Sequence, residues 1–287
     1  MKKLTLAFLC CVVVTSSNTF AQWNLESESK LFPSLKFEEK PSKLSFFSNL
    51  KNNWFVPEAS QTPLPAVVLL HACSGITQKS QGDLKRWAEL LLANGYAVLI
   101  IDHLGPRNIQ INCGAGGRVP AGQLVKDVHE AVSFLSRQPI IKKNSIFTLG
   151  FSKGAMTGGM VASQSSYRAV APEGPRPKAV AGLYGGCDYG RGGNWLPEDA
   201  DIPVLWLMGG ADTESPPERC TTAIEAISKR GLMTSFTYSE ASHCWDCSAL
   251  DGFTKTAGNG KQVTYRYSTD ATSDSEQRVL KFFNGLK

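Results

Sequence analysis

One serine in this chain lies in a sequence suited to nucleophilic chemistry. Ser152 is the centre of Gly-Phe-Ser-Lys-Gly at 150–154, directly after the β-branched and apolar run 146–149. Glycines at both ends let neighbouring backbone pass close to a tight strand-to-helix turn that exposes the serine Oγ. The Lys153 backbone N–H would then lie at a helix N-terminus, where it can bind a developing oxyanion. The pattern predicts an activated serine, although so short a motif also occurs in plain Gly-Ser loops.

Two later residues can supply the base and the acid that such a serine needs. A serine nucleophile requires a base for its Oγ proton and a carboxylate that holds that base. His243 follows the last predicted strand of the chain, and Asp212 follows the strand before it. The chain order Ser152, Asp212, His243, each just past the end of a strand, predicts a triad of the α/β-hydrolase type. Asp188 and Asp246 remain alternatives for the acid.

The second oxyanion donor is expected in the loop after the first buried strand. That loop reads His-Ala-Cys-Ser-Gly at 71–75. We expect the Cys73 backbone N–H to form the oxyanion hole with that of Lys153, with Ala72 as the alternative to Cys73. His71 is expected to orient the loop. This chemistry is ester hydrolysis through an acyl-enzyme, and it requires no metal and no organic cofactor.

The N-terminus has the composition of an export signal. Two lysines precede the apolar run 4–14, and Thr-Phe-Ala at 19–21 offers a small-residue cleavage site. The run is too short to span a bilayer, so we interpret residues 1–21 as a signal peptide and expect a periplasmic or secreted protein.

Six cysteines follow residue 21. An even number in an exported chain favours disulfide bonds. We favour the pair Cys73–Cys113, because both residues would lie in loops that follow adjacent strands. The other four stay open, and one economical solution joins the pairs Cys187–Cys220 and Cys244–Cys247.

The last cysteine pair also allows two other interpretations. His243, Cys244 and Cys247 could ligate zinc, although Cys-x2-Cys occurs only once. The same motif could serve thiol–disulfide exchange, but it follows a predicted strand and does not open a helix as redox motifs usually do.

Charge and hydropathy limit the kinds of molecule that the protein is expected to bind. The net charge is +5, and removing residues 1–21, which hold two lysines and no acid, leaves +3. The excess is weak and scattered, without the basic runs of nucleic-acid-binding proteins. No later apolar stretch is long enough to cross a membrane. We therefore expect a soluble mature protein whose partner is a small molecule, neither nucleic acid nor membrane; its oligomeric state is not readable.

Buried strands alternating with amphipathic helices predict a mainly parallel sheet flanked by helices. We expect a leader at 22–62, with edge strands at 43–48 and 53–56, and a hydrolase domain at 63–287. The predicted strands are 66–70, 96–101, 146–149, 179–184, 204–208 and 235–238, and the predicted helices are 83–94, 122–136, 153–164, 217–230 and 273–283.

Nine short motifs are spread over roughly residues 60–285: Leu69–Gly75, Trp87–Leu91, Gly95–Val98, Asp102, Gly105–Arg107, Gly150–Gly154, Gly210–Asp212, Ser242–His243 and Arg278–Phe283. Together they resemble the dienelactone hydrolase family of α/β-hydrolases. The resemblance implies a compact α/β-hydrolase fold whose nucleophile, acid and base correspond to Ser152, Asp212 and His243. Enzymes that give the family its name use cysteine in the elbow, so Ser152 implies a more general carboxylester hydrolase.

The segment between residues 184 and 204 is too short for a large helical cap, so we expect an open site. Trp195, Trp206 and Trp245 are candidates to line it, although large aromatic residues more often belong to a core. Two other functions remain in competition. A peptidase or amidase can use the same triad, and a non-catalytic binding protein can have the same fold.

Overall fold

The computed structural model describes residues 24–58, 63–114, 118–188, 194–257 and 260–287. The predicted signal peptide at 1–21 lies outside these residues. Within the described ranges, none of the helices combines the length and apolar character needed to cross a bilayer.

A seven-stranded sheet forms the centre of the protein. Its strands are β1 (Asn53–Phe55), β2 (Leu64–Leu70), β3 (Ala97–Ile101), β4 (Ile141–Phe151), β5 (Ala179–Leu183), β6 (Val204–Gly209) and β7 (Met233–Tyr238). Their order across the sheet is β1-β3-β2-β4-β5-β6-β7. All neighbours are parallel except β1 and β3. The expected mainly parallel sheet is confirmed.

Helices cover both faces of this sheet, which is why its central strands are apolar on both sides. The helices are α1 (Leu25–Glu28), α2 (Gln81–Ala93), α3 (Ala121–Ser136), α4 (Lys153–Ala162), α5 (Gln164–Val170), α6 (Thr221–Ser228) and α7 (Thr269–Asn284). Leu91 of α2 and Phe283 of α7 pack with Phe147 of β4 on one face. On the other face α3 and α4 pack against β2, and α6 packs against β5 and β6.

The predicted strand at 43–48 is wrong. The segment contains a turn and no strand. The residue before it, Ser42, forms an isolated bridge to Phe55 of β1. The Ser48 hydroxyl accepts a hydrogen bond from the Ser45 backbone N–H at 2.9 Å. A side chain that bonds nearby backbone in this way offers the chain an alternative to a sheet ladder.

Two other element boundaries differ from the prediction. The helix expected over 153–164 ends at Ala162, because the Ser163 Oγ accepts from the Ser166 backbone N–H at 3.1 Å and so begins α5. The helix expected over 217–230 has a 3₁₀ first turn, Pro217–Cys220, before α6.

A two-stranded antiparallel hairpin, β8 (Thr254–Thr256) with β9 (Gln262–Thr264), was not predicted. Its strands are three residues long and hold one apolar residue, Val263, so they lack the apolar alternation by which strands are recognised. The hairpin lies beside the edge of the main sheet where the parallel strands end. Residues that follow β2, β4 and β6 gather at this same edge.

Candidate active site

Ser152 occupies the turn between β4 and α4 in a backbone conformation that is rare for a side-chain-bearing residue. Its φ is 51° and its ψ is −112°. Its N–H donates to the Leu183 carbonyl oxygen at 3.0 Å, and its carbonyl oxygen accepts from the Met156 N–H at 3.0 Å. The neighbouring strand and the first turn of α4 therefore hold the strained residue in place.

The glycines of the motif are required by close backbone approach. A Cβ on Gly154 would lie 2.1 Å from the Leu70 carbonyl oxygen of β2. A Cβ on Gly150 would lie 2.3 Å from the carbonyl carbon of Gly154. The helix can therefore begin directly above the sheet only because both positions lack a side chain.

Gly154→Ala is expected to lower the free energy of unfolding by about 3 kcal/mol, because a Cβ there overlaps rigid backbone. Urea unfolding followed by circular dichroism would measure the change. Gly82→Ala is the matched control, since a Cβ on Gly82 of α2 meets nothing within 4 Å. The control should be neutral or stabilise the protein by up to about 1 kcal/mol. Equal effects of the two substitutions would contradict the role assigned to Gly154.

The structure brings Ser152, His243 and Asp212 together in one chain of hydrogen bonds. The Ser152 Oγ lies 3.0 Å from His243 Nε2, and His243 Nδ1 lies 2.7 Å from Asp212 Oδ2. All three residues are buried. A carboxylate only accepts, so Nδ1 carries a proton and Nε2 is the nitrogen able to accept the serine proton.

The two alternative acids lie elsewhere. Asp188 pairs with Arg219. Asp246 is buried, and its carboxylate accepts from the Trp87 indole N–H at 2.7 Å and from the Tyr184 hydroxyl at 2.8 Å. Of the three candidate carboxylates, Asp212 alone bonds the His243 ring.

Burial and nearby carboxylates have opposite effects on the pKa of His243. Burial opposes protonation of its ring, but the Asp212 carboxylate, aided by that of Glu214, outweighs burial and raises the pKa of His243. The rings of Tyr184 and Tyr265 pack on it with centroids at 5.0 Å and 5.5 Å. The imidazole is therefore fixed in orientation and stabilised as a cation, as a general base must be after it takes a proton.

The raised pKa predicts how hydrolysis depends on pH. Protonated His243 cannot accept the Ser152 proton, so kcat/KM should rise with pH as the ring loses its proton. The half-maximal value is expected above 6.5, the ordinary histidine value. A pH profile of kcat/KM for a chromogenic ester, with circular dichroism at each pH to confirm folding, would test this. An acid limb centred below the ordinary histidine pKa would contradict it.

The predicted oxyanion loop lies across the same cleft. Cys73 lines the cleft with Ser152 and His243, and Lys153 is the first residue of α4. The His71 Nδ1–H donates to the Ala72 carbonyl oxygen at 2.7 Å, while its Nε2 accepts from the His103 backbone N–H at 3.1 Å.

Burial, reinforced by nearby His103, lowers the pKa of His71 to about 4, so the ring stays neutral. A further hydrogen bond holds the loop: the Cys73 carbonyl oxygen accepts from the Asn112 backbone N–H at 2.8 Å. The role expected for His71, orientation of the loop, agrees with these contacts.

Three disulfides join the six cysteines: the pair favoured from the sequence, and for the four cysteines left open the two pairs of the economical solution. They are Cys73–Cys113, Cys187–Cys220 and Cys244–Cys247.

The Cys244–Cys247 disulfide argues against both zinc binding and thiol–disulfide exchange by that motif. A zinc site with His243 would need two thiolates, and here the two sulfurs are bonded to each other. Both residues are also buried, whereas thiol–disulfide exchange requires access to the sulfur.

An open cleft of about 510 Å³ contains Ser152 and His243. Ile111, Leu250 and Phe253 form apolar walls, and Ile111 and Phe253 are 59% and 40% exposed. The three tryptophans considered from the sequence are buried and do not line this cleft: Trp195, Trp206 and Trp245.

Three residues beside His243 were not predicted from the sequence. Glu214, Lys255 and Tyr265 line the cleft, and the last two come from the hairpin β8–β9 and the residue after β9. Glu214 lies two positions beyond Asp212, which was the only signal available in the sequence. No motif distinguishes it from a surface acid.

A model of the dienelactone hydrolase family matches residues 53–286. The chain belongs to this family. It is a hydrolase that acts on ester bonds, and the resemblance found from its motifs is confirmed. The matched range begins at β1, which pairs with β3 at the edge of the main sheet.

Solved structures show the same fold. A promiscuous dienelactone hydrolase-like phosphotriesterase from metagenomic libraries is 17% identical with a TM-score of 0.57, over 81% of this chain and 91% of that one. Esterase 2 of Thermogutta terrifontis with propionate bound is 14% identical with a TM-score of 0.57, over 86% of this chain and 95% of that one. Comparison with curated protein sequences gives no match.

Proposed function

We propose that this protein is an exported carboxylic ester hydrolase that works through an acyl-enzyme on Ser152. One observation carries the proposal: the Ser152 Oγ, the His243 ring and the Asp212 carboxylate are linked by hydrogen bonds of 3.0 Å and 2.7 Å. The serine is presented on a strained turn at the N-terminus of α4. Nucleophile, base and orienting acid are the parts that acyl transfer needs.

The mechanism follows from these positions. The Ser152 Oγ attacks the ester carbonyl carbon while His243 Nε2 takes its proton, and the carbonyl oxygen becomes an oxyanion. The backbone N–H groups of Cys73 and Lys153 are assigned to that oxyanion. His243 then protonates the leaving alcohol, water attacks the acyl-enzyme, and Ser152 is regenerated with a carboxylic acid as product.

The expected substrate is a small ester with a short or medium apolar group. The cleft is open and of about 510 Å³, and Ile111 and Phe253 present apolar surface on its walls. Burying such a group against them is favourable by about 25 cal/mol per Å² of apolar surface. The Thermogutta esterase, which binds propionate, supports a short acyl group.

Export to an oxidising compartment is part of the proposal. The three disulfides would not persist in a reducing cytosol. The signal-like composition of residues 1–21 supports the same location.

Mass spectrometry after treatment with a fluorophosphonate tests the nucleophile. Such a reagent forms a covalent adduct with an activated serine, so we expect one adduct on the peptide that contains Ser152. Ser152→Ala should abolish it. Folded, disulfide-intact protein that takes up no adduct, or takes it up on another serine, would overturn the assignment and leave the non-catalytic interpretation.

A further inference from the structure

A second carboxylate faces the reactive nitrogen of His243. The Glu214 Oε2 lies 3.8 Å from His243 Nε2, on the nitrogen that contacts Ser152. Glu214 lines the same cleft as these two residues. The other ring nitrogen is already bonded to Asp212 at 2.7 Å. Glu214 therefore faces Nε2, the ring nitrogen that exchanges protons with the reacting groups.

The distance between Glu214 Oε2 and His243 Nε2 excludes a direct hydrogen bond but allows one water molecule to bridge the two atoms. At 3.8 Å, Glu214 is too far from Nε2 to compete with the Ser152 hydroxyl, which lies at 3.0 Å. Two acceptors at that separation can each take one O–H of a single water molecule at ordinary hydrogen-bond length. Glu214 and His243 together are thus suited to hold a water by both of its protons.

Two hydrogen bonds to the Glu214 carboxylate, one from its backbone and one ring contact of Tyr265 fix its place relative to His243. The Lys255 Nζ donates to its Oε1 at 2.9 Å, and the Tyr265 hydroxyl donates to its Oε2 at 3.1 Å. The Glu214 backbone N–H donates to Asp212 Oδ1 at 2.9 Å. Tyr265 also packs on the His243 ring with centroids at 5.5 Å. The carboxylate is therefore preorganised relative to the imidazole, and it is not a freely rotating surface group.

We propose that Glu214 is a catalytic residue that positions the hydrolytic water for deacylation. This inference rests on the proposed acyl-enzyme at Ser152. The water gives one proton to His243 Nε2 and forms its new C–O bond with the acyl carbon, while its second O–H donates to Glu214 Oε2. Collapse of the oxyanion breaks the bond to the Ser152 Oγ, which receives the proton from His243. The second proton leaves with the carboxylic acid.

Acylation does not need this help. In that step the proton passes directly from the Ser152 Oγ to His243 Nε2 over the existing 3.0 Å contact. Once the Oγ is esterified, Nε2 must find a mobile water, whose orientation costs entropy unless a second acceptor fixes it. Loss of Glu214 should therefore slow deacylation far more than acylation.

Pre-steady-state hydrolysis of p-nitrophenyl acetate by wild-type enzyme and Glu214→Gln separates the two halves. We expect the rate constant for deacylation to fall roughly tenfold, the effect of losing one hydrogen bond to a charged acceptor, with a clear burst of p-nitrophenol. The Glu214 charge also supports the His243 cation, which forms in both steps, so the acylation constant and the rate of fluorophosphonate labelling should fall too, but only about twofold, a change of under half a kcal/mol. Glu218→Gln, the same change at an exposed residue, is the matched control.

Hydroxylamine adds a readout that a purely structural role would not move. It is a stronger nucleophile than water and attacks the acyl-enzyme to give a hydroxamic acid, so it should restore turnover of Glu214→Gln. An unchanged deacylation constant, equal losses in both constants, or no rescue would overturn the inference. A wild-type enzyme that shows neither burst nor label on Ser152 would overturn the proposed function itself.

Discussion

Ser152→Ala is expected to lower kcat for ester hydrolysis by about 10⁵- to 10⁶-fold, since it removes the group that forms the acyl-enzyme. The oxyanion donors and the cleft remain, so a small residual rate above the uncatalysed reaction should persist. Stability should change by no more than about 1 kcal/mol, because only the Oγ contact with His243 is lost. Steady-state kinetics with a chromogenic ester and thermal unfolding would measure the two effects.

A serine outside the site provides the control for this substitution. Ser273 is an exposed residue of α7. Ser273→Ala should leave kcat within about twofold of wild type, equivalent to under half a kcal/mol. If Ser152→Ala retained a tenth of wild-type activity in a preparation free of contaminating esterase, Ser152 would not be the nucleophile.

Asp212→Asn is expected to lower kcat by about 10⁴-fold while preserving the shape of the site. Asp212 Oδ1 accepts the backbone N–H groups of Glu214 at 2.9 Å and Ser215 at 2.8 Å. An asparagine would keep its oxygen towards these donors and turn its NH₂ towards His243 Nδ1. The ring would then carry its proton on Nε2, the tautomer that cannot accept the proton of Ser152.

Asp188→Asn is the matched control, because Asp188 was an alternative acid and pairs with Arg219 away from the triad. Its kcat should stay within about twofold of wild type. The acid limb of the pH profile offers a second readout, since loss of the Asp212 carboxylate removes the main influence that raises the pKa of His243. Similar kcat values for the two variants would contradict the assignment of Asp212.

The sequence proposed the acid of the candidate site, and the folded chain distinguishes it from the alternatives. The chain order favoured Asp212 as the acid, but Asp188 and Asp246 stayed as alternatives from the sequence, because all three follow strands or lie near the histidine. The folded chain separates them through their partners. Asp246 is surrounded by Trp87, Tyr184 and Arg86, whose N–H and O–H donors are far from it in sequence. Such contacts follow from packing and not from any local pattern.

The Cys73–Cys113 pair shows how far reasoning from topology can reach. It was favoured because the two loops follow adjacent strands, and β2 and β3 are indeed neighbours in the sheet. The strand predicted at 43–48 shows the opposite case. Its apolar residues Phe46 and Phe47 are 82% and 92% exposed, so the hydrophobic pattern there does not report burial.

The sequence by itself predicted most strands of the main sheet and the helices that flank it, and it proposed Ser152, His243 and the oxyanion loop for the site. It could do so because periodicity marks buried elements, and a parallel sheet brings the ends of its strands to one edge. Only the tertiary structure separated Asp212 from the alternative carboxylates through their partners and paired the four cysteines that were left open. It alone placed Glu214 near Nε2, because that approach depends on Lys255 of β8 and on Tyr265, the residue after β9. Distances between loops are set by packing of the whole chain, and no local pattern of residues encodes them.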